Sequence, residues 1–208
     1  TDNQVNKLTR KLFAKYPELG KVKTRLAKDI GNEQALKIYS RLFHNTLTMM
    51  LDCDFAEKIV YLGDDKFLNH FKRDYPQWEV KVQSGGDLGE RLINAMNCEM
   101  DLNTELIFIG ADCPEITSRL ILSAIKSLQY HDIVIGPATD GGYYLIGLRN
   151  LYPQLFCGID WSTDKVFFQT KKAAEKIHLR IFDLPYLTDI DTAEDWEKYQ
   201  SRTQTGNL

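Results

Sequence analysis

Three stretches of this chain put carboxylates where extended segments end. The run Glu105-Leu106-Ile107-Phe108-Ile109-Gly110-Ala111-Asp112-Cys113-Pro114 is apolar, is closed by Gly110 and Pro114, and carries Asp112 at its tip. Asp140 follows a second run, Ile133-Val134-Ile135-Gly136-Pro137, and leads into Gly141-Gly142-Tyr143. Asp189 and Asp191 stand ahead of the last amphipathic segment. Hard cations such as Mg²⁺ or Mn²⁺ take oxygen ligands, and acids delivered to one sheet edge can hold such an ion across a nucleotide's phosphates. Each acid also has an ordinary structural role open to it. Asp112 can cap the helix beginning near Thr117, Asp140 can belong to a hairpin turn of the Asp-Gly kind, and Asp191-Thr192-x-x-Asp195 fits a capping pattern.

Cations accompany these acids. In Lys15-Tyr16-Pro17-Glu18-Leu19-Gly20-Lys21-Val22-Lys23-Thr24-Arg25-Leu26, the residues Lys21, Lys23 and Arg25 alternate. An extended loop would point all three the same way, a fork suited to a di- or triphosphate, with Gly20 permitting close backbone approach. A solvated basic turn is the structural alternative. The loop is not a Walker A sequence, and no G-x-G-x-x-G occurs. Further on, Ser84-Gly85-Gly86-Asp87-Leu88-Gly89-Glu90-Arg91 turns into a helix, where backbone amides can read a base edge or cradle an anion. Asp87 serves equally well there as an N-cap.

The elements that must position these groups follow from periodicity. Four consecutive apolar residues before Gly110 suit a strand covered on both faces, as in a parallel sheet. Residues Leu8 to Ala14 read as a first strand, although Arg10 and Lys11 interrupt it. Asn32 is a candidate N-cap for a long helix whose Leu36, Tyr39, Phe43, Leu47 and Met50 form a core face. A strand over 57–62, a short helix around 66–71 and an edge strand over 78–83 come next, then a helix carrying Leu92, Ala95 and Met96. Thr117 or Ser118 opens another helix, Thr163 caps one from about Lys165 to Lys176, His178 to Leu184 forms a last strand, and Trp196 and Tyr199 lie on the closing helix. Trp161 reads as a packing residue. The alternation predicts one α/β domain over residues 1–200, with a mostly parallel sheet flanked by helices on both faces and a polar tail over 201–208.

Composition narrows the partners. The chain has 208 residues, 43% of them hydrophobic, enough for a sizeable core. A formal charge of −3 argues against a nucleic-acid binder, which normally shows a basic excess, and leaves small molecules as partners. Cys53, Cys98, Cys113 and Cys157 form no C-x-x-C, and the four histidines make no ligand pattern with them, so a cytoplasmic protein with reduced thiols and no zinc site is expected. No apolar run approaches a membrane span, and Cys113 lacks the electropositive or histidine-paired setting of a reactive thiol.

Four motifs in order, Lys15-x-Pro17-x-x-Gly20-Lys21-Val22-Lys23-Thr24-Arg25-Leu26, Gly86-Asp87-Leu88-Gly89-Glu90-Arg91, Gly110-Ala111-Asp112-Cys113-Pro114 and Asp140-Gly141-Gly142-Tyr143-Tyr144-Leu145, resemble the DUF2064 family. Its members are provisionally regarded as glycosyltransferases within the nucleotide-diphospho-sugar transferase (GT-A) superfamily. The resemblance implies a Rossmann-like GT-A fold, phosphate binding by Gly20, Lys21, Lys23 and Arg25, nucleotide binding by Gly85, Gly86, Asp87 and Arg91, and Asp112 as a metal ligand. The segment Asp189-Ile190-Asp191-Thr192 is similar to one that supplies a second metal ligand in related sugar nucleotidyltransferases, which points to Asp191. The expected activity is transfer dependent on Mg²⁺ or Mn²⁺. Asp112, Asp140, Lys23 and Arg25 are its catalytic groups, and Asp140, Gly141, Gly142 and Tyr143 face a small-molecule acceptor. Glycosyl transfer from a nucleoside-diphosphate sugar is the first expectation. Nucleotidyl transfer from a triphosphate to a small phosphorylated acceptor, favoured by the basic loop, is the alternative, and a non-catalytic nucleotide binder is the third. Relatives place an apolar strand before the Lys-x-Pro segment, so Thr9, Arg10 and Lys11 predict a shortened or displaced first strand here.

Overall fold

The computed structural model describes residues 7–52, 57–99 and 104–205. Cys53 therefore lies outside the described residues. Seven strands form one sheet: β1 (Lys7–Ala14), β2 (Lys58–Leu62), β3 (Glu79–Val82), β4 (Thr104–Gly110), β5 (Ile133–Pro137), β6 (Tyr143–Leu148) and β7 (Ile181–Asp183). Their order across the sheet is β3-β2-β1-β4-β6-β5-β7. All pairings are parallel except those of β6, which runs antiparallel between β4 and β5. The chain moves outward from β1 to β3 and then returns to β4 on the other side of β1. The carboxyl ends of β1 and β4 thus border a topological switch point, the place where open α/β sheets bind ligands.

Helices cover both faces. One face packs Leu12, Val60, Ile107 and Ile109 against Tyr39, Phe43, Leu47 and Met50 of α2 (Asn32–Leu51), Phe71 of α3 (Leu68–Asp74), and Ile121, Ala124 and Leu128 of α5 (Ser118–Leu128). The other packs Ile59, Tyr61, Leu106, Phe108 and Ile146 against Leu92, Ala95 and Met96 of α4 (Leu88–Glu99), a short 3₁₀ turn at Pro153–Phe156, and Ala174 of α6 (Val166–Lys176). β4 is buried along nearly its whole length, as its unbroken apolar run requires. A satellite cluster joins Leu26 of α1 (Thr24–Ile30) and Ala35, Ile38 and Leu42 of α2 to Ile190, with Trp196 and Tyr199 of α7 (Ala193–Thr205) packed on it.

The first strand is neither shortened nor displaced. β1 sits centrally, in register with β2 on one side and β4 on the other, although Arg10 and Lys11 are only 1% and 0% exposed. Lys11 is accommodated because its Nζ donates to Glu99 Oε2 at 2.8 Å, and Glu99 Oε1 accepts from Lys81 at 2.5 Å and from the Tyr61 hydroxyl at 2.7 Å. Burial alone would push the Glu99 carboxyl up, but hydrogen bonds from Lys11, Lys81 and Tyr61 hold it down at about 2. A buried cation in a central strand therefore rests on a partner 88 residues away.

Smaller boundaries differ from the sequence expectation. Gly31, at φ +86°, is the residue before α2, so Asn32 is the first helical residue and makes no cap. The short helix lies over Leu68–Asp74, and the last strand shrinks to three residues because His178 turns left-handed at φ +58° after α6. Residues 201–205 of the expected polar tail are the final turns of α7. Thr117 caps α5 as expected, accepting from the Leu120 amide at 3.2 Å. Thr163 Oγ1 accepts only from the Lys165 amide, one residue ahead of α6. Among the described residues no helix is long and apolar enough to cross a membrane.

Candidate active site

Tertiary pairing gathers the acidic strand ends. Asp112 leaves β4 just past Gly110, and its carbonyl accepts from the Ile190 amide at 3.0 Å, which draws the 189–191 segment alongside. That segment is carried along the edge of β5 by the Leu187 backbone, which bonds to Pro137 and Thr139. Asp140 joins them in the turn from β5 to β6. Asp112, Asp140, Asp189 and Asp191 all line one open cleft of about 710 Å³, together with Lys23, Arg25 and Trp161. A second cleft of about 530 Å³ opens directly over the switch point, between Ala14 of β1 and Gly110 of β4. Lys15, Lys21, Lys23 and Arg91 border it, and Asp112 and Asp191 stand on both clefts.

The basic residues do not form the extended fork that their alternation predicts. Lys21 sits in a turn closed by its amide on the Glu18 carbonyl at 3.1 Å, Lys23 is left-handed at φ 49° and precedes α1, and Arg25 lies in that helix's first turn. The convergence is produced by the helix start instead. Lys23 Nζ lies 3.2 Å from Asp112 Oδ2 and 4.0 Å from Asp191 Oδ1, while Arg25 Nη1 donates to Asp191 Oδ2 at 2.9 Å. Tyr39 of α2 anchors the loop by donating to the Lys15 carbonyl at 2.8 Å. Gly20 spends its freedom on the turn, at φ +72°, and is exposed.

Asp191 keeps its carboxylate for these cations because another residue does the capping. Thr192 Oγ1 accepts from the Asp195 amide at 3.2 Å, and Asp195 Oδ2 accepts from the Asp191 and Thr192 amides, a reciprocal cap. Asp189 completes the group. Its carboxyl is pushed up to about 7, chiefly by burial and then by the neighbouring charges of Asp112 and Asp140, with Lys23 opposing. Sequence reasoning named the Asp189-x-Asp191 pair but assigned a site role only to Asp191; the missing signal was the fold-back that buries Asp189 beside Asp112.

On the remaining walls the structure divides the predicted residues. Asp87 Oδ1 accepts from the Glu90 amide at 2.8 Å and so starts α4, and Glu90 Oε2 accepts from the Gly86 amide at 2.7 Å. Arg91 holds the Gly85 and Gly86 carbonyls at 3.3 and 3.4 Å while also lining the switch-point cleft. The Asp140 turn is a hairpin turn, with Asp140 Oδ1 accepting from the Gly142 amide at 2.9 Å. Gly141, at φ +91°, lets protein rather than ligand come close: a Cβ there would stand 2.1 Å from the Asp164 carbonyl oxygen, and the Gly141 carbonyl accepts from the Phe167 amide. The Tyr143 hydroxyl is buried toward Thr170 of α6, so toward the cleft Tyr143 offers only its ring and backbone. Trp161 packs on Gly89 of α4, as expected of it. Cys113 is buried, and burial pushes its thiol up to about 12, which removes it as a nucleophile. Cys98, Cys113 and Cys157 are free.

The donor set suits a hard cation: carboxylates only, more numerous than the cations beside them. Among the described residues no three such side chains are close enough to form a finished coordination sphere.

Comparison with known proteins agrees with this architecture. A family model, DUF2064, described as an uncharacterized protein conserved in bacteria, matches residues 46–163. The chain is 26% identical over 184 residues to a 2-phospho-L-lactate guanylyltransferase of Methanocaldococcus vulcanius, covering 85% of this chain and 78% of that one. A protein of Desulfovibrio desulfuricans G20, described provisionally as a nucleotide-diphospho-sugar transferase, superposes with a TM-score of 0.89 at 33% identity over 96% of this chain and 89% of the other. Rv0371c of Mycobacterium tuberculosis H37Rv in complex with manganese shares the fold, with a TM-score of 0.59 at 16% identity over 92% and 97% of the two chains. The chain belongs to the DUF2064 family and has the single-domain, Rossmann-like GT-A fold of the nucleotide-diphospho-sugar transferases.

Proposed function

We propose that this protein is a metal-dependent nucleotidyltransferase that uses a nucleoside triphosphate and a small phosphorylated acceptor and releases pyrophosphate. The observation that carries the reading is the meeting of Lys23 and Arg25 with Asp112 and Asp191 beside the switch point. Cations from the start of α1 and acids from the end of β4 and the segment before α7 share one space, which suits a triphosphate held beside a divalent ion. The resemblance to a guanylyltransferase favours this order over the glycosyl transfer that the family motifs first imply.

In this reading the acceptor oxygen attacks the α-phosphorus, the bond to the bridging α–β oxygen breaks, and pyrophosphate leaves with the electron pair. Lys21, Lys23 and Arg25 lie against the phosphates and neutralise the charge that builds on the leaving group. Arg91, with Gly85, Gly86 and Asp87 behind it, borders the base and ribose. Asp112 and Asp191 would hold Mg²⁺ or Mn²⁺, with the substrate's phosphate oxygens completing its shell, and the ion would supply Lewis-acid polarisation of the phosphoryl oxygens. Asp140 and Gly142 face the acceptor, Gly141 seats their turn against Asp164, and Tyr143 supports that wall from below. The free thiols and small-molecule chemistry fit a cytoplasmic enzyme.

The test is pyrophosphate release from GTP, CTP, UTP and ATP with small phosphorylated and carboxylated acceptors, in Mn²⁺, in Mg²⁺ and in chelator. Thermal unfolding against the same nucleotides runs in parallel, since a ligand at 100 times its Kd adds about 2.7 kcal/mol. Metal-dependent pyrophosphate release supports the reading. Stabilisation only by nucleoside-diphosphate sugars, without pyrophosphate release, would return the assignment to glycosyl transfer, and binding without turnover would favour a sensor.

A further inference from the structure

We infer that Lys23 stands in for the metal in the nucleotide-free enzyme, and that an arriving triphosphate must draw its ammonium away before Asp112 and Asp191 can close on a divalent ion. The inference rests on the nucleotidyltransferase reading and adds to it an order of binding. Lys23 Nζ stands between the two carboxylates, 3.2 Å from one and 4.0 Å from the other. A divalent ion needs carboxylate oxygens at about 2.0–2.6 Å, so the ammonium and the ion compete for the same few ångströms. The Lys23 side chain is only 7% exposed, so in this position the carboxylates rather than water supply most of the oxygens around its ammonium. A phosphate offers charged oxygens in their place. Lys15, Lys21 and Arg91 line the cleft that Lys23 shares, and a triphosphate laid among them brings oxygens to Nζ.

The backbone and the neighbouring cation make this exchange mechanically simple. Lys23 is fixed at φ 49°, ψ 48° immediately before α1, so its main chain stays in place while a four-carbon stem swings the charge. Arg25, on the same helix start, holds the other oxygen of Asp191 at 2.9 Å and keeps that carboxylate aimed at the cleft while Nζ moves. Metal binding and nucleotide binding then become positively coupled, and by linkage each strengthens the other by the same factor.

The test titrates the protein with MnCl₂ alone, read by the loss of the free Mn²⁺ spin-resonance signal, for wild type, K23M and K23R. A second series adds α,β-methylene-GTP, which cannot release pyrophosphate. K23M is expected to bind Mn²⁺ at least tenfold more tightly than wild type without nucleotide, and K23R to match wild type because it keeps the charge. Wild type is expected to take up Mn²⁺ tightly only in the presence of the analogue. Should K23M fail to fold, K23Q replaces it. Equal nucleotide-free Mn²⁺ affinity in wild type and the neutral variant, with the analogue complex still bound by wild type, would overturn the inference and leave the proposed function standing. Failure of wild type to bind Mn²⁺ and analogue together would overturn the proposed function itself.

Discussion

Two groups of paired charge in this molecule use the same residue types to opposite ends. At the last residue of α4, one carboxylate, Glu99, meets three donors from Lys11, Lys81 and Tyr61. At the carboxyl edge of the sheet, four carboxyls share two close cations, and one of them, Asp189, is pushed up to about 7 where Glu99 is held down at about 2. The first group is complete without any ligand and makes a cationic strand tolerable. The second stores like-charge repulsion that a bound cation would relieve. What separates the structural ion cluster from the site is thus both the balance of charges and their exposure: Lys11 and Glu99 are 0% and 6% exposed, Asp112 and Asp191 43% and 36%.

Substitutions should pull the two groups apart. The largest effect is expected from Asp112→Asn, which removes one oxygen donor and the closest partner of Lys23. Metal-dependent turnover should fall about 10³-fold, in the range of losing a group that stabilises transition-state charge, while the unfolding midpoint stays near that of wild type. Pyrophosphate release and thermal unfolding on the same preparation check both halves.

Glu99→Ala should do the reverse. It strands Lys11, whose side chain is 0% exposed, and should cost about 3–5 kcal/mol in denaturant unfolding, with activity per folded molecule unchanged. Acid titration sharpens the same point. The folded-state pKa of Glu99 is depressed, so its contribution is fully present above the unfolded value of about 4.3 and is lost as pH falls from there through about 2. Stability of wild type should drop steeply across that window, and the variant should drop less.

Gly141→Ala falls between the two groups. The added methyl would meet the Asp164 backbone at 2.1 Å from a left-handed residue, so a loss of about 2–3 kcal/mol and a weakened acceptor KM are expected, measured by unfolding and by acceptor titration. The smallest effect should come from Asp189→Asn. Removing one crowded carboxyl should raise metal-free stability by about 1 kcal/mol while lowering metal affinity, a sign opposite to that of Glu99→Ala. A destabilised Asp189→Asn protein would break the comparison.

The reading of the chain from its residues held where the physics is local. Apolar runs became β4, β5 and β6, the helical faces became the two cores, Thr117 and Asp87 became caps, and Gly110 ended its strand where Asp112 begins the site. It failed where a distant partner decides. Lys11 looked like an interruption because nothing near it in sequence announces Glu99. Lys21, Lys23 and Arg25 looked like an extended fork because alternation cannot reveal that α1 starts at Thr24. Gly141 looked like room for a ligand, whereas the room is taken by Asp164.

By itself, then, the sequence determined the alternation of strands and helices, the absence of a nucleotide loop of the Walker kind, and the types of group available for chemistry. Periodicity and turn residues act over a few positions and are legible there. Only the tertiary structure decided which acids share a cleft, that Asp189 belongs with Asp112, and that Lys23 stands between two carboxylates. Those facts depend on crossovers that bring together residues far apart in sequence, Lys23 with Asp191 and Asp112 with Asp189, and electrostatic interaction follows distance in space rather than along the chain.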